Sequence, residues 1–382
     1  MNDNRAMRNR VLRSVATAVL TLAAASARAQ VAPAAGYTPP DDTPSVRVGV
    51  TIYTDYTYQD EPKVTDADKN SVNLSAFNVS RAYINVLGNL SHLLAFRVTG
   101  DVSRETGTGS SLNGSLTYRL KYAYGQVNFD DFLTHGSWAR IGVQQTPYVD
   151  YMEGIYRYRF QGTIFEEREG FLSSSDFGVS AHYNFPGNYG DIHAGVYNGE
   201  TYTKPESNDQ KAFQIRGTLR PLPLGGALKG LRLTAFYDAD HYVKDGPRKR
   251  FIGNATFEHK WVNAGIDYFD AKDRSSISVA EVHSQGWGAW GTPKFYTKRE
   301  VLPGGAEGKT SSFEGLVRYD NLKPNKTVDA HRKRLVVGLA YWFPLLRGPS
   351  AALLVDMDRQ TFDAALNQPT NRKYSLHALF NF

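Results

Sequence analysis

The sequence predicts an all-β protein, a transmembrane antiparallel β-barrel of about 16 strands with an inward-folded third external loop. From position 46 to the end, runs of about ten residues alternate apolar with polar or small side chains, which is the length that a tilted strand needs to cross a membrane. The connections between these runs alternate between long and short, as the two ends of a membrane barrel require. No apolar run approaches the roughly 18 residues of a membrane helix.

The first and last runs show the alternation most clearly. Every second residue of positions 46–52 is apolar, and Arg47 and Gly49 lie between them. Positions 374–382 repeat this pattern, with Leu379 as the one residue out of phase. A period of two places the apolar residues on one face of a strand, and a helix could not form an apolar stripe from it.

Fourteen further strands fit between these two, which makes sixteen. Their predicted bounds are 76–87, 93–103, 116–128, 137–146, 176–184, 190–198, 211–220, 230–240, 250–258, 261–270, 283–291, 312–320, 334–343 and 350–359. Totals of fourteen or eighteen stay open, because the connection 292–311 is long where a short turn is expected. Either the strands on each side of it are longer than predicted or it folds over the periplasmic mouth.

Eight long connections alternate with mostly short turns. The long connections are 59–75, 104–115, 147–175, 199–210, 241–249, 271–282, 321–333 and 360–372. Outer-membrane barrels have long loops outside the cell and short turns in the periplasm. The longest connection, 147–175, lies between the fifth and sixth strands and is therefore the third external loop.

The first 29 residues are predicted to be a cleaved signal peptide. Four arginines precede an apolar stretch from Val15 to Ala25, and Ala27-Arg28-Ala29 supplies a small-x-small cleavage site. A stretch of eleven residues is too short to span a bilayer, which disfavours the alternative of an N-terminal anchor helix. Residues 30–45, rich in Ala and Pro, are predicted to be a flexible leader, and residues 46–382 the barrel.

Composition limits the partners and the chemistry. The whole chain carries 44 basic and 38 acidic residues. Without residues 1–29 the counts are 39 and 37, a net charge of +2, which gives a nucleic-acid partner little electrostatic support. The chain has no cysteine, so an exported form contains no disulfide and no thiolate metal site.

A soluble secreted β-sandwich or β-solenoid is the alternative fold, since alternation alone does not say whether the apolar face meets lipid or protein. Two features favour the membrane barrel. The face opposite the apolar one carries Arg, Asp, Asn, Gln and His in nearly every strand, which suits a wet lumen. Aromatic residues cluster near predicted strand ends, where rings sit at the level of lipid headgroups. The cluster comprises Tyr53, Tyr56, Tyr58, Phe77, Phe129, Phe132, Tyr183, Phe185, Tyr189, Tyr237, Tyr242, Phe257, Trp261, Tyr268, Tyr341, Phe343 and Phe382.

Several segments resemble those of a known family. Arg140–Tyr148 followed by Phe165–Arg168 resembles the strand and constriction-loop signature of the phosphate-selective porin O and P family. Gly190–Glu200, Arg216–Pro221 and the terminal Phe382 are similar to it as well. The resemblance implies a 16-stranded, usually trimeric porin whose third external loop narrows the pore. It also implies that the terminal Phe is presented to the barrel-assembly machinery.

A pore selects solutes by its diameter and by the charges that line it. The strand pattern turns more cations than acids inward, which predicts a mild anion preference. The predicted pore-lining arginines are Arg47, Arg81, Arg97, Arg119, Arg140, Arg216, Arg232 and Arg318. The pattern also turns inward Lys121 and Arg220 and the acids Asp55, Asp101, Asp238, Asp267, Glu314, Asp320 and Asp356. The alternative for any one of them is an ion pair that only stiffens the wall.

The longest loop mixes charged and aromatic side chains, which fits an inward-folded constriction with a transverse electric field. Its candidate constriction residues are Asp150, Glu153, Arg157, Arg159, Glu166, Glu167 and Arg168. The alternative is a solvated external loop, because long loops are usually polar.

The sequence gives little support to catalysis. No G-x-S-x-G, H-E-x-x-H or phosphate-binding glycine loop occurs, and the nine histidines lack metal-ligand spacing, so we expect no enzyme activity, cofactor or metal. Asp66–Asn70 begins like a calcium loop, but Ser71 occupies the position of the turn glycine. Two alternatives stay open, a barrel hydrolase that uses Asp238, Asp240 and His241, and a non-conducting structural barrel.

These observations lead us to expect an outer-membrane porin of a Gram-negative bacterium. It would allow passive diffusion of small hydrophilic solutes, with a mild preference for phosphate-like anions. The expected partners are outer-membrane lipid and lipopolysaccharide, the barrel-assembly machinery and further copies of the chain in a homotrimer, with no nucleic acid.

Overall fold

The computed structural model describes residues 42–298, 311–345 and 350–382. Sixteen long strands, named β1 to β16, close into one antiparallel barrel in which neighbours in sequence pair and β16 pairs with β1. The strands are β1 Ser45–Glu61, β2 Ser75–Asn89, β3 Leu94–Arg104, β4 Leu116–Asn128, β5 Trp138–Gln145, β6 Ser175–Asn184, β7 Gly190–Tyr197, β8 Ala212–Leu219, β9 Leu231–Val243, β10 Gly246–Glu258, β11 Val262–Asp273, β12 Val282–Lys298, β13 Ser311–Lys323, β14 Arg332–Trp342, β15 Ser350–Phe362 and β16 Asn371–Asn381. The predicted antiparallel barrel and its count of sixteen strands are confirmed, and a sandwich or a solenoid is excluded.

The period of two in the sequence becomes an apolar outer face and a polar inner face. On β1, Val46 and Val48 are exposed on the outside, whereas Thr51 and Tyr53 are buried inside the barrel. Leu379, which is out of phase in the sequence, is fully buried inside, where it joins an apolar cluster. Its deviation from the pattern therefore reflects a dry part of the interior.

The register shifts at five places in the described strand pairs, and two of these irregularities are β-bulges on β2 and on β4. The register between β1 and β2 shifts between Tyr53 and Thr54, which leaves Ser80 with no residue opposite it on β1. The register between β3 and β4 shifts in the same way at Lys121. A bulge bends its strand and redirects the neighbouring side chains. Lys121 and the next residue, Tyr122, are accordingly both buried inside the barrel.

The long connections lie at the end of the barrel opposite the start of β1 and the end of β16. The first of them contains a short hairpin of two paired two-residue strands, Val64–Thr65 and Ser71–Val72. The third contains helices α1, Val149–Tyr156, and α2, Phe165–Arg168. Short 3₁₀ helices occur at Pro186–Asn188 and Ala364–Leu366. No helix in the described residues, α1 and α2 included, is long and apolar enough to cross a membrane.

The prediction of a long loop at 241–249 is wrong. β9 continues to Val243 and β10 begins at Gly246, so the two strands form a hairpin with a tight turn. The segment is rich in polar and charged residues, as loops usually are. In the structure those residues continue the paired strands beyond the apolar band. Composition alone therefore placed the end of the strand too early.

Both ends of the long connection predicted at 292–311 belong to strands. β12 extends to Lys298 and β13 begins at Ser311, so the strands on each side are longer than predicted. The segment between them lies outside the described residues, as do the predicted signal peptide and residues 30–41 of the predicted leader.

Candidate functional site

Residues 146–174, which connect β5 to β6 and are named the loop segment, contact side chains that face into the barrel. The Tyr148 hydroxyl donates a hydrogen bond to Asp267 Oδ1 on β11 over 3.1 Å. The Tyr158 hydroxyl donates to Glu314 Oε2 on β13 over 3.0 Å. Both acceptors are buried residues of the inner wall. The loop segment therefore lies against the wall formed by the later strands.

An apolar cluster holds the loop segment against this wall. Its members from the loop segment are Tyr148, Val149, Met152, Ile155, Tyr156, Tyr158, Phe160, Ile164 and Phe165. Inward-facing Phe236, Ile252 and Leu316 belong to the same cluster. Burial of one large apolar side chain stabilises by about 1.5 to 3 kcal/mol, so this packing outweighs any single ion pair of the loop segment.

The charged residues of the loop segment are mostly paired. Arg157 donates to both carboxylate oxygens of Glu314, over 2.9 and 2.7 Å. Arg159 pairs with Glu153 and, at 2.8 Å, with Glu167. The electric fields of these paired charges therefore largely cancel at a distance.

A cavity of about 20 Å³, the eyelet cavity, lies between the loop segment and strands β1 to β4. It is lined by Tyr53, Tyr83, Asn85, Arg97, Thr99, Lys121, Tyr122, Asp150, Glu153 and Arg159. A space of this size holds about one water molecule. The bulge at Lys121 is thus part of its wall, and Tyr53 stands at the register shift opposite the other bulge.

A second cavity of about 430 Å³, the vestibule cavity, lies on the side of the long loops. On β1, Tyr53 borders both cavities, whereas Asp55 and Thr57, nearer the loops, border only the vestibule cavity. Arg159 also borders both. The remaining lining of the vestibule cavity is Gln59, Leu74, Ala76, Asn78, Ser80, Arg81, Phe160, Gln161, Gly162, Thr163, Asp356, Asp358, Lys373, Ser375 and His377. Tyr53 and Arg159 therefore lie between the two spaces.

Two cations of the eyelet cavity have no acid partner among the described residues. Arg97 is 6% exposed and donates to Thr99 Oγ1 over 3.0 Å and to Asn85 Oδ1 over 2.9 Å, while its Nη1 makes no hydrogen bond in the described part of the chain. Lys121 is 3% exposed, and its Nζ lies 4.9 Å from the centre of the Tyr83 ring. A ring face attracts a cation but does not neutralise it.

The acids of the eyelet cavity come from the loop segment. Asp150 accepts a hydrogen bond from the Tyr122 hydroxyl, at 3.0 Å from its nearer oxygen. Glu153 pairs with Arg159. The barrel wall thus supplies two cations, Arg97 and Lys121, and the loop segment supplies both acids together with the third cation, Arg159.

Two predicted pore-lining arginines share one acid on the wall of β2 to β4. Arg81, which lines the vestibule cavity, lies 2.6 Å from Asp101, and Arg119 lies 3.2 Å from the same carboxylate. Arg232 pairs with Glu258 at the other end of the barrel. Arg47, on the inner face of β1, borders neither cavity.

The other three predicted arginines are covered by packing and border neither cavity. Arg216 is fully buried and donates to the Pro147 carbonyl over 2.8 Å. Arg318 is buried and donates to the Thr163 carbonyl over 2.7 Å. Arg140 is buried against aromatic rings of the wall. Arg216 and Arg318 therefore hold the loop segment in position.

The seven predicted constriction residues of the loop segment also divide into those that line a cavity and those that are paired or buried. Asp150, Glu153 and Arg159 line the eyelet cavity, and Arg157 and Glu167 are ion-paired as described. Glu166 is fully buried, and Arg168 donates to Gln161 Oε1 over 2.9 Å.

Sequence reasoning missed the tyrosines of the eyelet cavity. The aromatic pattern assigns Tyr53 and Tyr242 to the headgroup level, and for both this is wrong. Tyr53 is 3% exposed and faces inward, and the Tyr242 hydroxyl donates to Asp273 inside the barrel over 3.0 Å. The signal was present for Tyr53, because it shares its phase on β1 with Asp55, which was read as inward.

The Asp–His pair of the hydrolase alternative does not form. Asp238 and Asp240 are buried inside the barrel, and Asp240 pairs with Arg248. His241 follows on the same strand and therefore points to the opposite, outer face. No group of three or more His, Cys, Asp or Glu side chains in the described residues could hold a metal ion.

Comparison with known proteins gives structural matches only. No protein-family model and no curated protein matches the chain, so the resemblance to the phosphate-selective porin O and P family rests on the segments quoted above. The anion-selective porin from Comamonas acidovorans is 10% identical and superimposes with a TM-score of 0.57 over 89% of this chain and 100% of its own.

Two further matches come from other bacteria. OmpF of Salmonella typhi, in complex with daunomycin, is 11% identical, with a TM-score of 0.59 over 89% of this chain and 98% of its own. The trimer form of OmpT, an outer membrane protein of Vibrio cholerae, is 13% identical, with a TM-score of 0.57 over 89% and 100%. At these identities the similarity establishes the fold: the chain is a closed barrel of the porin type.

Proposed function

We propose that the protein is an outer-membrane porin through which small hydrophilic solutes diffuse passively, with a mild preference for anions. Strands of membrane-spanning length carry apolar residues outside and polar residues inside, as expected of a barrel between lipid and water. The fold shared with outer-membrane porins supports the same function, and the anion-selective member among them is consistent with the preference.

The observation that carries the anion preference is the pair Arg97 and Lys121. Other wall arginines such as Arg81, Arg119 and Arg232 have a carboxylate within ion-pair distance, so their fields fall off quickly. Arg97 and Lys121 lack such a partner in the described part of the chain and border the eyelet cavity. Asp150 in the same cavity offsets part of this charge, but three basic and two acidic side chains leave the cavity a net charge of +1. Low-dielectric walls strengthen the field of that net charge, so the cavity attracts anions.

The loop segment is the constriction in this proposal. It packs along the inner wall of the later strands and leaves the eyelet cavity beside β1 to β4. Because that cavity holds about one water molecule, larger solutes pass only when the side chains between it and the vestibule cavity move. We therefore propose a narrow, low-conductance channel rather than a wide one.

Further parts of the proposal follow from the outer-membrane location. Residues 1–29 are removed on export, and the protein resides in the outer membrane of a Gram-negative bacterium after insertion by the barrel-assembly machinery. The trimer form of OmpT makes a homotrimer the expected assembly. Lipopolysaccharide is the expected lipid of the outer leaflet. Neither an enzyme nor a sealed structural barrel is favoured by a specific observation.

Swelling of proteoliposomes tests diffusion directly. Purified full-length mature protein in phosphatidylcholine liposomes should allow uptake of small neutral solutes such as glycerol and exclude trisaccharides, because the narrow zone is small. Equal swelling for all solutes would contradict the narrow zone. No swelling by a correctly folded, heat-modifiable barrel would contradict the porin function.

A further inference from the structure

We propose that Lys249 and Lys272, on the outer face of the barrel at its loop end, bind a phosphate group of an outer-leaflet lipid headgroup. The inference rests on the outer-membrane location in the proposed function. It concerns the outside of the barrel, so it is independent of how the pore conducts.

The two lysines form a directly opposed like-charge pair. Lys249 on β10 faces Lys272 on β11 in the antiparallel ladder. Both are exposed, and Phe251 and Tyr268, which share their phase on the two strands, are 45% and 42% exposed on the outer face. Side chains of directly opposed residues begin about 4.5 to 5.5 Å apart, and like charges at that separation destabilise a sheet. The pair therefore costs stability unless an anion joins it.

No acid among the described residues supplies that anion. The nearest acids on neighbouring strands and turns have other partners: Asp270 pairs with Lys326, Glu281 with His283, and Asp273 with Arg250 inside the barrel. Asp245, at the tip of the β9–β10 hairpin, lies beyond ion-pair distance of both lysines. The positive charge of the pair is thus uncompensated by the described part of the protein.

Other outward lysines at the same end of the barrel are compensated. Lys323 on β13 lies 3.0 Å from Asp329, and Lys333 on β14 lies 3.1 Å from Asp363. These residues occupy equivalent outward positions near the long loops. They show that the chain places an acid beside such a lysine elsewhere, and that Lys249 and Lys272 depart from this arrangement.

The position of the pair along the strands matches lipid headgroups. Phe251 lies two residues from Lys249 toward the middle of the barrel, about 7 Å along the strand, and faces Tyr237 on β9. Exposed aromatic rings in such a row mark the boundary between hydrocarbon and headgroups. The lysines therefore lie just beyond that boundary, at the depth of lipid phosphates.

A phosphate monoester suits the pair in charge and size. It carries up to two negative charges and three acceptor oxygens, so one group can accept hydrogen bonds from both ammonium groups. The aromatic row next to it contacts the acyl chains of the same lipid. A glycolipid with a phosphorylated headgroup supplies both the phosphate and the acyl chains, whereas inorganic phosphate supplies only the phosphate.

Native mass spectrometry of the full-length mature protein tests binding. The probes are a bisphosphorylated lipid A, the same glycolipid without phosphates, phosphatidylcholine and inorganic phosphate. Replacement of both lysines, K249Q with K272Q, should weaken binding of the phosphorylated glycolipid about tenfold or more. The matched control, K323Q with K333Q, should leave it unchanged, since those lysines already pair with acids.

A second measurement separates a binding site from a merely structural pair. In a nonionic detergent without lipid, K249Q or K272Q alone should raise the temperature at which the folded barrel converts to its unfolded electrophoretic form, because repulsion is relieved. Added phosphorylated glycolipid should raise that temperature more for the unmodified protein than for either variant. The single variants also keep the test valid if the double variant folds poorly.

Several outcomes would overturn the proposal. They are equal glycolipid binding by the unmodified protein and the double variant, equal loss in the control, or equal competition by inorganic phosphate alone. Channel recordings on the same samples keep the two proposals apart. A protein that conducts but does not bind the glycolipid contradicts only this inference, and one that binds but does not conduct contradicts only the porin function.

Discussion

The ammonium group of Lys121 lies 4.9 Å from the centre of the Tyr83 ring. Lys121 lies on a bulge that turns both it and its neighbour Tyr122 into the barrel. Without the bulge, strict alternation would turn one of the two outward. The distortion of the ladder therefore brings a cation and an aromatic ring together at the narrow zone. No carboxylate lies within ion-pair distance of Lys121 among the described residues, and Lys121 lines the eyelet cavity, so the proposed anion preference assigns its charge a role in selection.

Replacement of Lys121 should reduce anion selectivity. We expect K121Q to shift the reversal potential in a KCl gradient toward cations, with the anion-to-cation permeability ratio falling several-fold at 0.01 M salt. The shift should shrink at 1 M salt, because the screening length falls from about 30 Å to about 3 Å. Planar-bilayer recordings at the two salt concentrations measure both effects. R97Q should act in the same direction.

The matched control for this experiment is R232Q. It removes one inward positive charge, but Arg232 pairs with Glu258 and borders neither cavity. Its effect on the reversal potential should be clearly smaller. If R232Q and K121Q shift the potential equally, the eyelet cavity is not where ions are selected.

Truncation of Arg159 should widen the path between the two cavities. Because this side chain borders both, we expect R159A to raise single-channel conductance roughly twofold or more. It also leaves Glu153 and Glu167 without their partner, so the channel should become more selective for cations. The conservative R159K keeps the charge and should retain the original selectivity. Unchanged conductance in R159A would mean that ions follow another route.

The strand pattern was predictable because lipid on one side and water on the other impose a period of two along most of each strand. Sixteen strands and their approximate bounds followed from it. The bulges at Ser80 and Lys121 did not, since an extra residue has no signature in a single sequence. The inward position of Tyr53 could be read from its phase on β1 but not from its residue type, because tyrosine suits both a headgroup boundary and a polar lumen.

The pairing of the site residues was also beyond the sequence. The arginines Arg157, Arg216 and Arg318 look equivalent in the chain, but each is held by the loop segment or by the wall behind it. Which cations stay without an acid partner depends on contacts between strands and with the loop segment, some of which join residues more than 150 positions apart. Arg97 and Lys121 could be identified only after those contacts were known.

A histidine in the turn between β2 and β3 should titrate above its ordinary range. His92 Nδ1 lies 2.5 Å from Asp42 Oδ1, and its Nε2 lies 2.9 Å from Asp131 Oδ2. Hydrogen bonds to Asp42 and then to Asp131 raise the pKa of His92, and the bond to His92 lowers the pKa of Asp42. The contact is therefore fully present below the ordinary histidine pKa of about 6.5 and weakens as pH rises through the raised value.

Acid weakens the same contact from the other side, as pH falls through the lowered pKa of Asp42, below about 4. An NMR titration of the His92 imidazole measures the shift, and D42N should return the His92 pKa toward its ordinary value. The control is D66N, which removes an exposed acid that bonds to Asn70 instead. A His92 pKa at or below the ordinary value, or one unmoved by D42N, would contradict the contact.

Glycine is required at position 142 on β5. Its φ is 126°, and a Cβ there would lie 2.3 Å from the carbonyl oxygen of Ala123 on β4. We expect G142A to destabilise the barrel by about 1 to 3 kcal/mol, measured as a lower midpoint of urea unfolding. G125A is the matched control, because an added Cβ meets no atom within 4 Å. Equal midpoints for the two variants would show that β5 shifts without cost.

The proposed anion-preferring channel is best tested by a planar-bilayer recording of the purified, folded protein. We expect discrete current steps of low conductance on insertion. In a KCl gradient we expect a reversal potential of the sign that anion selectivity gives, because Arg97 and Lys121 line the eyelet cavity without an ion-pair partner in the described part of the chain. Current steps with a reversal potential on the cation side would contradict the role of these two residues. A complete absence of steps from a barrel shown to be folded and inserted would contradict the porin function.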